Sequence, residues 1–544
     1  MDTGAAGDEG QSGSGLARTQ KRWTMVAVVL GSAVVFLDST IVNVALPKIG
    51  QDLPSRWFRV LEGQSFVYNA YLLALSSLLI LAGALNDHYG RKRIFAIGLF
   101  GFGLTSVLCG VAPNLDLLVV FRVLQGVAGA MVVPGALSII SVTFEGEERG
   151  RAFGIWAAGS AATTISGPFI GGLLVDEVSW RAAFLIAVPV VVLSFYATLK
   201  HIEESRDEDA SGDFDWLGAA VTAVGVGGLT LGLIRGQERG WDAASLVIIA
   251  TGAAGILAFP FLMSVSRHPL VPLALFRSRD FSVLNTSTLV IWGALYVLFY
   301  VISLFTQGTL GYTAAAAGVA GVPGIAFMVA FSSRFGQLAA SRGPRAFISV
   351  GPLLMGLGVL WLSRTPSDSQ PWRLTATDAS SFLPPVSYLV DLLPAFLLFG
   401  VGAMMTVAPV TAAVMGSVPT SKAGVASAIN NAISRIGPQL IGAAVFVAVT
   451  ATFYSSLADR VPAVETSSSA LREAIAPLNR PTGAVSPEVM QAAREASTEA
   501  FHVAMRLSAA CMFLGAIINF VGIRRTAPAE VPELVQPAAG LGKV

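Results

Sequence analysis

Asp38, Arg122 and Arg435 are ionisable side chains set inside long apolar runs. A charge placed in hydrocarbon is costly unless it is paired or hydrated, so each is a candidate for function. Asp38 can take up and release a proton. Hydrocarbon favours its neutral acid and a nearby cation favours its carboxylate, so the balance of the two sets its proton affinity. Arg122 is always charged and carries no proton itself, but its approach or withdrawal changes that balance. At ~1.5 Å per residue, Asp38 lies ~21 Å along the first apolar run, past the midplane of a bilayer. Two readings stand side by side: a proton carrier tuned by an arginine, and a static ion pair that locks two helices. Arg435 sits close to Asn430 and Asn431. It either faces a cavity and meets an anionic group, or bonds to carbonyls freed by Pro438.

Other chemistry is missing. No GxxxxGK[ST] phosphate loop occurs, and His88, His201, His268 and His502 are scattered. With no metal-ligand cluster and no nucleophile–base pair, the sequence predicts neither an enzyme nor a cofactor, and protons are the expected drive. A membrane potential supplies ~2.3 kcal/mol per charge per 100 mV.

These residues need a membrane scaffold. Of 544 residues, 54% are hydrophobic and 13% charged, about half the charge of a soluble protein. The 35 basic and 34 acidic residues leave a net charge of +1, which excludes a nucleic-acid binder. Cys109 and Cys511 lie in apolar runs and read as packing residues. A membrane helix needs about 20 mostly apolar residues. Fourteen stretches qualify, near 24–46, 64–85, 94–111, 115–141, 151–175, 182–199, 216–234, 242–264, 282–305, 313–333, 345–363, 389–415, 423–450 and 502–523. Alternating them from a cytoplasmic N-terminus places 20 of the 35 basic residues on the cytoplasmic side, so both termini are expected there, in a multi-pass protein of the cytoplasmic (inner) membrane. The expected segments are a disordered cytoplasmic N-terminus (1–22), an N-terminal six-helix bundle (23–199) and an acidic linker (200–215). Two inserted helices (216–266), a C-terminal six-helix bundle (267–523) with an outer loop (451–500), and a tail (524–544) follow. Ser486-Pro487-Glu488 marks a helix start that runs into the last span. Trp23, Trp180, Trp216 and Trp241 stand at span ends and read as interfacial anchors.

An internal repeat supports the division. GALNDHYGRK after the second span matches GQLAASRGPR after the tenth, and Gly167-Pro168 with Gly172 matches Gly437-Pro438 with Gly442. Both pair span n with span n+8, as two six-helix halves separated by two inserted helices would. A parallel duplication of this kind places substrate near the midplane between halves.

Four segments carry a family likeness: LDSTIVNVALP (37–47), GALNDHYGRKR (83–93), the fourth-span pattern from Leu118 through Arg122, Gln125 and Gly126 to Ala130, and SGPFIGG (166–172) followed by Trp180-Arg181. With them the sequence resembles the major facilitator superfamily, and within it the fourteen-helix drug/proton antiporters that export quaternary ammonium compounds and other drugs. The resemblance implies an all-α polytopic fold of two six-helix bundles plus two inserted helices, with Asp38 and Arg122 as the proton-coupling pair on neighbouring helices. It implies that Gly83, Asp87, Gly90 and Arg91 form a cytoplasmic gate in which Asp87 latches onto the N-terminal amides of a neighbouring helix. It implies too that Gly167, Pro168, Gly171 and Gly172 seal the pathway against leak. Asn86 departs from the family's small residue and Ala340 from its second-half acid. The tenth span lacks a central acid, which argues against a doubly charged cation as cargo.

Trp292, Tyr296 and Tyr300 recur every four residues along one face of the ninth span. They either line a greasy cavity and stack on a drug, or pack against neighbours. Asn43, Tyr68, Gln125, Trp156, Asn431 and Arg435 complete the expected substrate surface. The expected partners are protons, an amphiphilic small molecule and membrane lipids, acting on a monomer. The leading expectation is a proton-coupled antiporter for multidrug efflux. A lipid or amphiphilic-anion exporter, an uptake symporter and a non-transporting sensor are its rivals.

Overall fold

The computed structural model describes residues 8–144, 146–206, 215–267, 269, 271–375, 377–418, 423–482 and 485–524. Among them, fourteen long helical segments follow one another: α1 Asp8–Asp52, α2 Val60–Tyr89, α3 Arg91–Gly110, α4 Leu115–Thr143 and α5 Gly146–Glu177; α6 Trp180–His201; α7 Trp216–Arg239 and α8 Ala243–Val265; α9 Arg279–Thr309; α10, in the two pieces Ala314–Ala320 and Val322–Arg342; α11 Arg345–Leu362; α12 Tyr388–Gly416; α13 Ala423–Arg460 and α14 Pro487–Gly522. Twelve contain stretches long and apolar enough to cross a membrane among the described residues. The other two, α2 and α5, are 30 and 32 residues long and fall where the alternation requires a crossing. One face of the molecule carries the start of α1 and the end of α14 (the terminal face), and the opposite one is the distal face.

The repeat reappears as packing. Cβ atoms added at Gly167 and Gly171 of α5 would meet Thr40 and Ile41 of α1, and one at Gly437 of α13 would meet Leu289 and Gly293 of α9. Pairs related by n+8 therefore use the same device, small residues that let two backbones approach. Glycines also zip α7 to α8, where Gly225 faces Gly255 and Gly228 faces Gly252. This hairpin rests its α7 side on the bundles: Gly227 packs on Leu73 of α2, and Thr230 donates to the Gln439 carbonyl of α13 at 3.3 Å. Leu257 and Phe261 of α8 are 79% and 68% exposed and form a lipid-facing surface.

The helix start at Ser486 is as read from sequence. Ser486 Oγ accepts from Val489 N at 3.3 Å and α14 then runs unbroken to Gly522. Trp180 is a correction: it is 1% exposed, meeting Phe184 edge-on with the Arg181 guanidinium over its ring. The turn Val178–Ser179 tucks the start of α6 under the N-terminal bundle, so the indole enters the core rather than the lipid interface. Trp216 and Trp241 are exposed as expected.

At the terminal face, Gly90 joins α2 to α3 with φ +108°. The linker residue Glu204 caps α3, accepting from Lys92 N at 3.0 Å and Arg93 N at 3.1 Å. A Cβ on Gly90 would strike the Glu204 carboxylate. Gly90→Ala is therefore expected to cost about 1–3 kcal/mol in backbone strain, displace the cap and lower the melting temperature of the purified protein. An unchanged melting temperature counts against this role for Gly90.

Candidate functional site

Arg122 and Gln125 stand three residues apart on α4 and so share one helix face. That face meets α1 at Asp38. Arg122 Nη1 donates to Asp38 Oδ2 at 2.5 Å and to Gln125 Oε1 at 2.7 Å. Gln125 Nε2 donates to Asp38 Oδ1 at 3.1 Å and to Ser106 Oγ at 3.0 Å. Arg122 Nε donates to the Val67 carbonyl of α2 at 3.0 Å. The guanidinium lies 4.2 Å from the Tyr71 ring centroid, and the Tyr71 hydroxyl donates to the Val35 carbonyl at 3.2 Å. Both carboxylate oxygens are thus occupied, and Asp38, Arg122 and Gln125 are all buried. Four helices (α1, α2, α3 and α4) meet at this network. Gln125, expected on the substrate surface, instead bridges the two charges. Cys109 joins it, its Sγ 3.6 Å from Gln125 Oε1.

Between the bundles lies a narrow cavity of about 30 Å³, walled by Ser65 and Tyr68 of α2, Tyr300 of α9, and Pro438 and Phe446 of α13. Tyr68 and Tyr300 stack across it with centroids 5.7 Å apart. Their hydroxyls lie beside Asn43 and Ser65 without making well-formed hydrogen bonds, and Asn43 Oδ1 and Arg435 Nε are likewise buried and unpartnered. Of these, the Tyr68 and Tyr300 hydroxyls belong to the cavity wall, where a guest carrying a polar group would satisfy them. Of the aromatic face on α9, Tyr300 reaches the cavity wall, whereas Tyr296 and Trp292 pack against the hydrophobic core. Trp156 does not join them. Its Nε1 donates to Ser32 Oγ of α1 at 2.8 Å and its ring meets Phe36 edge-on. Asn431 is exposed, whereas Asn430 ties α13 to α9 through Asn285 at 3.1 Å and Thr288 at 3.0 Å.

The bundles close on each other at the distal face. Gly172 of α5 abuts Ala314 and Ala315 of α10, and Gly318 of α10 abuts the Pro168 carbonyl. Asp176 then caps α10 from the other bundle, accepting from Ala314 N at 3.1 Å and Ala315 N at 2.7 Å. Gln64 of α2 and Asn479 of the loop before α14 exchange two amide hydrogen bonds, 2.8 and 3.0 Å long. Ser303 Oγ donates to the Asn43 carbonyl at 2.8 Å. No hydrogen bond joins the two bundles near the terminal face among the described residues. Among the described residues, only the Pro134 side chain, at 3.9 Å, comes within 4 Å of where a Cβ on Gly83 would stand. Arg91 donates its backbone N–H to the Ser205 carbonyl at 2.9 Å. The Asp87 side chain lies outside the described residues.

An acid holding the N-terminal amides of a neighbouring helix was expected from Asp87, and Asp176 makes a contact of that kind across the bundle interface on the opposite face. Its one signal in sequence is position, since it follows Gly172 by four residues and so shares its helix face. Gln64 and Asn479 carry no comparable signal, because their pairing joins positions 415 residues apart.

The Major Facilitator Superfamily model matches residues 28–443. The Multidrug resistance protein Stp of Mycobacterium tuberculosis (strain CDC 1551 / Oshkosh) is 34% identical over 80% of this chain and 76% of its own. The Tetracenomycin C resistance and export protein of Streptomyces glaucescens is 33% identical over 77% and 74%. Among solved structures, a peptide transporter in complex with alafosfalin aligns with a TM-score of 0.60 at 12% identity, covering 91% of this chain and 93% of that one. A bacterial homologue of the human lysosomal transporter Spinster gives 0.56 at 16% identity, over 92% and 96%.

Proposed function

The chain belongs to the Major Facilitator Superfamily, and we propose that it is a proton-coupled antiporter that exports hydrophobic or amphiphilic compounds by alternating access. The buried Asp38–Arg122–Gln125 network carries this reading. It is a carboxylate with a fixed cation and a neutral bridging amide, held where the α1–α4 helices converge. Protonating Asp38 removes the anion that Arg122 faces and frees the contacts that hold α4 to α1. Relatives named for multidrug and tetracenomycin C resistance support a drug-like cargo. In this conformer the Tyr68–Tyr300 cavity holds little more than a water, so it must widen to take cargo, and its apolar wall with the unmet Tyr68 and Tyr300 hydroxyls suits such a guest.

In this reading the terminal face is cytoplasmic, in line with its basic loops, and the conformer with bundles joined at the distal face is the one that loads from the cytoplasm. Gly172, Gly318 and Asp176 act as the distal gate. The segment from Gly83 to Arg91 forms the cytoplasmic gate when that side closes. An exporter of lipids or amphiphilic anions is the second reading, favoured by Arg435, whose buried Nε has no partner.

Reconstitution into proteoliposomes tests the proposal. A fluorescent amphiphilic cation or neutral dye should accumulate only when the pH gradient opposes its movement, and collapse of the gradient by an ionophore should stop it. Transport in the same direction as the proton would indicate symport. Transport indifferent to the gradient would remove the coupling altogether.

A further inference from the structure

Away from the central cavity, the distal face holds a vestibule of about 550 Å³ whose walls come from both bundles. Its charge is one-sided. Arg373, Arg480 and Arg494 line it, and its one acid, Asp176, has both oxygens engaged by the Ala314 and Ala315 amides. Lys48 is also present but is paired with Asp52 at 3.2 Å. Arg373 and Arg480 have exposed side chains and no acidic partner within ion-pair distance among the described residues.

Unmet donors adjoin these charges. Thr309 Oγ1, Tyr312 Oη and Arg494 Nε are buried, line the vestibule and have no hydrogen-bond partner. All three carry a hydrogen to donate, and a buried donor left unmet is costly. Three guanidiniums on one cleft, against an acid whose oxygens are already engaged, are complementary to an anion. Apolar wall surface adjoins them at Val175, Leu310 and Met490, which suits a ligand with an apolar body.

We infer that the distal vestibule binds an anionic amphiphile, its carboxylate or phosphate group held among Arg373, Arg480 and Arg494. A phospholipid headgroup and an acidic cargo leaving the protein share this chemistry. The site is independent of the proton-coupling proposal, because its test reads binding without any gradient.

The full chain in nanodiscs of neutral phosphatidylcholine is titrated with decyl phosphate and, separately, with decyltrimethylammonium. Saturable binding of decyl phosphate but not of the cation is expected, weakening with salt. R373Q/R480Q should weaken it by at least about tenfold. Both arginines are exposed, so the double variant should fold, and R494Q provides a second, partly buried probe. R334Q, an exposed arginine outside the vestibule, should bind as the unaltered protein does. Replacing part of the lipid by phosphatidylglycerol separates the sources: competition with decyl phosphate assigns the site to a headgroup, and no competition assigns it to a soluble anion. Absence of saturable binding, equal binding of the cation, or unaltered binding by both R373Q/R480Q and R494Q would overturn the assignment.

Discussion

Asp38→Asn is expected to reduce gradient-driven export to the leak rate while downhill exchange of substrate persists. Asparagine keeps the shape of the side chain but neither titrates nor balances Arg122. One of its two polar atoms becomes a donor facing the donors of Arg122 and Gln125, which now take up both carboxylate oxygens. The buried guanidinium is left without its counter-charge, an arrangement that costs about 3–5 kcal/mol. The variant should therefore be less stable as well as uncoupled, and the two effects can be separated. Arg122→Gln on the same background removes the orphaned charge and is expected to restore part of the melting temperature without restoring coupling. If D38N/R122Q recovers gradient-driven export together with stability, the pair is a static lock between α1 and α4 and the proton travels elsewhere. If stability returns and coupling does not, the carboxylate is the carrier.

The parts of this site legible in sequence are those whose residue type conflicts with its surroundings. Asp38 and Arg122 stand out because charge in an apolar run needs a reason, and α4 periodicity puts Gln125 beside Arg122. What periodicity does not reveal is the direction in which Gln125 spends its amide. It faces the carboxylate rather than a cargo, because the i, i+3 spacing brings it to Arg122 and the crossing of α1 brings Asp38 to both. Trp180 was misread for a related reason. Position at a span end suggests an interface, but a two-residue turn is enough to turn the indole inward. Asn86, which departs from the family's small residue, is accommodated by a partner that is itself small. It is fully buried and lies against Gly135 of α4, where a Cβ would meet its Oδ1 at 2.7 Å. The helix count and the n+8 repeat were legible because both are fixed by local pattern. The distal contacts were not, since Gln64 with Asn479, and Asp176 with Ala314, depend on how two bundles meet.

Gly172→Val should hold the distal face open. A Cβ at this position would already lie 2.5 Å from the Ala314 carbonyl and from Ala315 Cα, and those are backbone atoms of a helix that cannot turn aside as a side chain would. Valine adds two further methyls at the point where the bundles must touch. Overpacking of this kind costs about 1–3 kcal/mol, enough to move a two-state equilibrium roughly 5–150-fold. The shift can be read directly by placing cysteines at Gln64 and Asn479, whose side chains touch when the face is closed. Cross-linking should be efficient in Q64C/N479C and fall by at least about fivefold when G172V is added, with transport falling in parallel. Gly318→Val, on the opposite wall of the same contact, should do the same. Gly83 supplies the opposite sign. Among the described residues only Pro134 comes within 4 Å of a Cβ there, so Gly83→Leu meets little of them while the distal face is closed. If the segment from Gly83 to Arg91 closes the cytoplasmic side, leucine there obstructs only the other conformer, and cross-linking at the distal face should rise rather than fall. Movement of both variants in one direction would mean that the two glycines do not guard opposite ends of a single alternating pathway.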